Sequence, residues 1–235
     1  MMKRLFVLLL ALIMVSISVY AAADDVYSTP ILFKKIPWGT SYTDAVKQLG
    51  NISMRDIRET EYWHTMDDFM YTEGGFSNYN AKIGGYAYAS SSSLEGEKVA
   101  GYDIDDLYLY FVYVPGDDGL LIRDEDHTAL IYAYYKINPK DLTAAYEDLT
   151  AKLTKLYGDV DGTQSDSFLI TDNQNLWNGA EGTMVSLVSR DYESTGTKEI
   201  YIKYGFSGAE ALMQKAYDAI ALEESINAAD NTDGL

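Results

Sequence analysis

The chain predicts an α+β domain: an antiparallel β-meander sheet with its helices packed on one face. Three patterns carry this. Apolar residues recur at helical spacing in three capped segments. Between them the period switches to two, and glycine- and proline-containing turns separate the alternating runs.

The first helix is read from Ile36-Pro37-Trp38-Gly39-Thr40-Ser41 onward. Ser41 can cap it, and Asp44 sits three residues on, as in a capping box. Tyr42, Ala45, Val46 and Leu49 share one face, and Gly50 can end the helix in a left-handed conformation. Residues 51–85 hold apolar clusters without clear period, Tyr62-Trp63-His64 and Phe69-Met70-Tyr71, among the breakers Gly74-Gly75 and Gly84-Gly85. From Tyr86 the alternation begins, and strands are expected near 86–89, 98–104, 107–114 and 128–137, with Pro115-Gly116-Asp117-Asp118-Gly119 as a turn. Leu107, Leu109 and Phe111 are expected to share the core face with Ala129, Ile131 and Ala133. Tyr108, Tyr110, Tyr132 and Tyr134 should face the other way.

Asn138-Pro139 is read as the start of the second helix, with Leu142, Ala145, Tyr146, Leu149, Leu153 and Leu156 on its apolar face and Gly158 as its stop. An acidic loop follows. Strands are then expected at 168–170, 184–190 and 198–204. Ser207-Gly208-Ala209-Glu210 opens a last helix whose inner face is Ala209, Leu212, Met213, Ala216, Tyr217 and Ile220. The polar tail 227–235 is expected to fray.

At the N-terminus, Met1-Met2-Lys3-Arg4 is a basic head, residues 5–19 are apolar and uncharged, and Ala21-Ala22-Ala23 offers small residues before Asp24-Asp25. This reads as a secretory leader cleaved after Ala23, leaving one domain over 24–226 in a secreted or periplasmic protein. Fifteen helical residues reach about 22 Å, short of a roughly 30 Å hydrocarbon core, so the run is not read as an anchor. No cysteine is present, which rules out disulfides, thiol catalysis and a bacterial lipoprotein anchor. Eighteen cationic residues against 36 acidic ones give a net charge of −18. Such a chain repels phosphate backbones and anionic lipid heads, so nucleic-acid binding and peripheral membrane binding are not expected, and no segment after the leader is long and apolar enough to predict stable membrane insertion.

The two histidines, His64 and His127, fall in no zinc-protease pattern, and there is no G-x-S-x-G elbow or P-loop. The acidic residues remain: Asp159, Asp161 and Asp166 around Gly162 are candidate calcium ligands, although the spacing fails the EF-hand template. Asp117, Asp118, Asp124 and Asp126 flank a hairpin, and Asp103, Asp105 and Asp106 lie near a bend. The 21 tyrosines are the other oddity. Tyr108, Tyr110, Tyr132 and Tyr134, joined by Tyr201 and by Tyr86 and Tyr88, could form an open tyrosine-rich sheet face for a sugar or a protein partner.

The run Ile36-Pro37-Trp38-Gly39-Thr40-Ser41 with Val46 and Leu49-Gly50, followed by a meander, a helix ending in Tyr157-Gly158 and a later Trp177, resembles a domain common in secreted bacterial proteins. More loosely, it is similar to the fold of β-lactamase inhibitory protein and to the small lipoprotein of the outer-membrane barrel-assembly machine. The resemblance implies a binding or scaffold protein, not an enzyme. It passes no binding role to any residue here. The resulting expectation is an exported, non-catalytic domain engaging a protein or a cell-wall glycan through the tyrosine face. The alternatives are a secreted hydrolase with paired carboxylates and a calcium-stabilised structural module.

Overall fold

The computed structural model describes residues 29–50, 52, 54–58, 82–167, 170–192 and 195–232. The expected leader, the clusters around Tyr62 and Phe69, and residues 233–235 lie outside them. In chain order the elements are α1 (Tyr42–Leu49), β1 (Arg55–Arg58), β2 (Gly84–Ser90), β3 (Lys98–Val99), β4 (Tyr102–Asp103), β5 (Asp106–Tyr113), β6 (Thr128–Ile137), α2 (Leu142–Tyr157), β7 (Gly162–Ser167), β8 (Ile170–Asn178), β9 (Thr183–Tyr192), β10 (Thr197–Phe206) and α3 (Gly208–Thr232). Eight strands make one sheet in the order β1-β2-β5-β6-β10-β9-β8-β7, every neighbouring pair antiparallel. The chain is α+β.

The strand order has an internal symmetry. A helix ending at Gly50 leads into the meander β1, β2, β5, β6. A second helix ending at Gly158 leads into the meander β7, β8, β9, β10. The last strands of the two meanders pair with each other, Ile137 with Ile200 and Tyr135 with Ile202. Among the described residues each half is thus one helix plus four strands of this sheet, and the two meet tail to tail at its centre. The short hairpin β3–β4 is an insertion in the first half. It docks on α2, where the Tyr102 hydroxyl donates to Asp148 Oδ2 at 2.9 Å and Lys152 Nζ to Ala100 O at 2.7 Å.

Local chemistry sets the helix ends. Ser41 accepts from the Asp44 amide at 3.3 Å, and Gly50 leaves α1 at φ +68°. The second helix starts later than Asn138-Pro139 suggests. Asp141 is its cap, accepting from the Ala144 amide at 3.1 Å, while the Asn138 amide is held by Asp105 Oδ2 at 2.7 Å in the linker after β6. Leu156, expected on the buried face, is 70% exposed on the last turn of α2. The last helix is longer than expected: residues 227–232 continue α3, since no glycine or proline interrupts them before Gly234.

Helices cover both faces of the sheet, not one. On the first face, α1 and α2 bury Ala45, Leu49, Ala145, Leu149 and Leu153 against Leu107, Leu109, Phe111, Ala133, Leu187 and Ile202. On the second, α3 buries Ala209, Met213, Ala216 and Ile220 against Val112, Ala129, Ile131 and Tyr132. A helix with the small residues Ala209, Ala216 and Ala219 in line can approach a strand surface closely, and its sequence carries no mark of which face it will choose. Glu223 fixes its far end: the carboxylate takes a bidentate bond from Arg123, at 2.9 and 3.2 Å, and accepts the Leu121 amide at 3.0 Å. This ties α3 to the β5–β6 hairpin.

Strict alternation fails within β6. Tyr110 pairs with Tyr132 but Phe111 with Leu130, so Ile131 is a bulge. The extra residue shifts the register before it, and Ala129 and Ile131 join the second face with the tyrosines, away from Leu107, Leu109 and Phe111. Strands β7 and β8 replace the expected acidic loop and the short run 168–170. Their sequence, Gly-Thr-Gln-Ser-Asp-Ser and then a mostly polar run, lacks the apolar alternation by which strands are recognised, as befits the edge of a sheet.

Candidate functional site

Alternation on β2, β5, β6 and β10 sends every second residue to the second face, and the register lines these residues up in rows across the strands. One row is Tyr88, Tyr108, Tyr134 and Lys203; the next is Tyr86, Tyr110, Tyr132 and Gly205; a third is Ser90, Asp106, Lys136 and Tyr201. The predicted residues Tyr108, Tyr110, Tyr132, Tyr134 and Tyr201 are therefore brought together in a single patch. Ring centroids lie 5.7 Å apart for Tyr88–Tyr108, 4.8 Å for Tyr108–Tyr134 and 5.8 Å for Tyr134–Tyr201. The second row repeats this, 5.8 Å for Tyr86–Tyr110 and 5.7 Å for Tyr110–Tyr132. Gly205 leaves room in that row: a β-carbon there would sit 3.4 Å from the Tyr132 ring.

The patch is narrower as a surface than the sequence suggests. Tyr110, Tyr132, Tyr134 and Tyr201 are 4–8% exposed; only Tyr86, Tyr88 and Tyr108 are half-buried. The hydrophobic cluster that α3 completes takes in the buried four. Orientation matters as much as area. Tyr88, Tyr108 and Tyr134 are parallel within 18°, and Tyr108 and Tyr134 are closer than two rings lying flat side by side could come. Tyr108 stands on edge between Tyr88 and Tyr134, one ring against each face, so it turns its edge and not its face outward.

Asp106, which the sequence places near a bend, closes the patch at one end together with polar groups the sequence reading missed. Lys136 bridges Asp106, at 2.8 Å, and Glu199, at 3.6 Å, and the Tyr201 hydroxyl donates to Glu199. Arg190 and Lys203, both buried, approach the Tyr201 ring to 5.5 and 5.9 Å. The missed residues were within reach of the pattern. Lys136 is two after Tyr134, and Glu199 and Lys203 flank Tyr201 at the same step, just as Asp106 stands two before Tyr108. Attention to tyrosine alone stopped the alternation one residue short.

Burial raises the phenol pKa of Tyr108, Tyr110, Tyr132, Tyr134 and Tyr201. It is the main cause at Tyr110, Tyr132 and Tyr134; at Tyr108 the Asp106 charge adds to it, and at Tyr201 the hydrogen bond to Glu199. Burial pulls the Lys136 ammonium down, but the hydrogen bond and charge of Asp106 override it, and the net shift is upward.

The other candidates lie elsewhere. Asp159 is exposed; Asp161 accepts the Asn178 amide at 2.6 Å and so fastens the end of β8; Asp166 lies on β7. Among the described residues no group of three His, Asp or Glu side chains is placed to hold a metal ion. His127 pairs with Asp124 at 2.8 Å on the exposed hairpin, where the imidazole hydrogen bond lowers the carboxyl pKa. A cleft of about 460 Å³ opens beside the end of α2, between Pro30, Ile31, Leu156, Tyr157 and Asn178. No helix among the described residues is long and apolar enough to cross a membrane. Comparisons with protein-family models, curated proteins and solved structures found no match to the chain.

Proposed function

We propose that the chain is an exported binding or scaffold domain that engages a protein partner through the open margin of its tyrosine patch, at Tyr86, Tyr88 and Tyr108. The observation that carries this reading is the upright stacking of the rings. A sugar ring binds an aromatic ring by lying on its face, and here the faces of Tyr108 are taken by Tyr88 and Tyr134. What the margin offers is a row of ring edges beside Ser90, Asp106 and Lys136, a mixture of apolar and hydrogen-bonding groups that suits a protein surface. Export rests on the leader-like residues 1–23. The hydrolase reading finds less support. The carboxylates that Lys136 bridges beside the patch, Asp106 and Glu199, have its ammonium between them, where the scissile oxygen would have to sit.

A photo-cross-linking residue placed at Tyr88, with a second at exposed Lys215 on α3 as control, tests the reading in the producing cells. A single protein adduct at position 88, absent at 215 and lost with Tyr108→Ser, is expected. Equal adducts at both positions would overturn it. A saturable titration with soluble peptidoglycan fragments that Tyr108→Ser abolishes would replace the protein by a glycan.

A further inference from the structure

The tyrosine rings form an unbroken path of contacts across four strands, from half-buried Tyr88 through Tyr108 and Tyr134 to buried Tyr201. The first two steps are parallel stacks, the geometry in which neighbouring π systems overlap. At the inner end, the Tyr201 hydroxyl donates to the Glu199 carboxylate. That combination is what one-electron oxidation of a phenol needs, because a tyrosine gives up an electron readily only if its proton can leave at the same time.

We infer that this ladder is a redox relay: a one-electron oxidant of the ferryl-haem or carbonate-radical class reacts at Tyr88 or Tyr108, and the oxidising equivalent comes to rest as a neutral radical on Tyr201. The step balances. One electron passes from Tyr201 along the ladder to the oxidant, which is reduced by one electron. The O–H bond of Tyr201 breaks and its proton forms an O–H bond on Glu199. Lys136, which loses an anionic neighbour when Glu199 is protonated, keeps Asp106 at 2.8 Å. Arg190 and Lys203 beside the ring repel a radical cation, so the proton must move with the electron. A donor of the ascorbate class returns the electron, and the proton returns to the phenol oxygen. In a chain without cysteine, no thiol competes for the oxidant.

Flash photolysis of the full chain with tris(bipyridine)ruthenium and persulfate, read by transient absorbance and by electron paramagnetic resonance after freezing, tests the relay. The wild type should give a long-lived tyrosyl signal that forms more slowly in deuterated water. Tyr201→Phe should lose most of it. Tyr134→Phe should slow its appearance severalfold. Glu199→Gln, which keeps the ring, should shorten the radical's life and abolish the isotope effect. Tyr146→Phe, on the other face, should change nothing. Circular dichroism checks that each variant is folded, and Glu199→Gln carries the test if Tyr201→Phe is not. A wild-type signal that survives unchanged in Tyr201→Phe, or in Glu199→Gln, overturns the inference.

Discussion

Phe33 meets Tyr204 edge to face, with 5.6 Å between ring centroids, and lies 5.0 Å from Tyr135. Tyr135 is on β6 and Tyr204 on β10, the strands that join the two halves of the sheet. One ring from the segment before α1 therefore sits over the seam. The segment is held there by the Ile36 amide donating to Phe33 O at 2.8 Å, and by Trp38 Nε1 donating to Ile31 O at 3.0 Å. Phe33 is wholly buried. Phe33→Ala would leave a cavity in contact with both halves and is expected to cost about 3–5 kcal/mol. Urea unfolding followed by tyrosine fluorescence measures it. A loss well below this range would mean the halves hold together without the segment.

Trp177 makes the corresponding closure in the second half. Its ring is fully buried and Nε1 donates to Gly158 O at 3.1 Å, so a strand side chain satisfies a carbonyl at the end of α2. Trp177→Phe keeps an aromatic ring but strands that carbonyl. It is expected to destabilise the chain by about 1–3 kcal/mol. Denaturant unfolding reads the stability, and faster hydrogen exchange at the Gly158 amide would show that the end of α2 has loosened.

The helix caps were legible because each is a local event. Ser41, Gly50 and Gly158 act within one turn of chain, and the sequence names them. Asn138 was misread because two caps compete within four residues; Asp105, more than thirty residues away, settles the choice by taking the Asn138 amide. The tyrosine rows were legible from alternation, but not their burial, since nothing in residues 208–220 says which face of a sheet the helix will cover. The bulge at Ile131 was beyond reach for a similar reason: it depends on the pairing of two strands and leaves no turn residue behind. Strands β7 and β8 hid because the edge strand β7 and its neighbour β8 are mostly polar and lack the apolar pattern by which strands are found.

The clamp between Arg123 and Glu223 makes stability depend on acid. The hydrogen bond from Arg123 holds the Glu223 carboxyl below its usual value of 4.5, and the Leu121 amide adds to this. A carboxyl lowered in the folded state contributes stability above its unfolded value. That contribution is lost as the pH falls from about 4.5 through the lowered folded value. The pair is partly exposed, so its worth is small, under about 1 kcal/mol. Glu223→Gln is expected to be slightly less stable than wild type at pH 7, and equal to it in strong acid. Paired urea melts at the two pH values check the sign; a difference that grows in acid would contradict it.

Base acts on the tyrosine patch with the opposite sense. Tyr110, Tyr132, Tyr134 and Tyr201 have their phenol pKa raised above the model-compound value of 10.0, burial being the largest cause at each. Each of these groups keeps its proton in the folded chain after the unfolded chain has lost it. Stability is therefore full below pH 10 and falls as the pH rises from there towards the raised folded values, because ionisation then favours the unfolded state. Spectrophotometric titration should show these tyrosines as a second set that ionises only with unfolding, after a lag. Tyr134→Phe removes one member of the second set without adding volume. It should shrink the late step and soften the loss of stability in base. If all the tyrosines ionised together near pH 10 while the circular dichroism stayed native, the rings could not be buried as the structure places them.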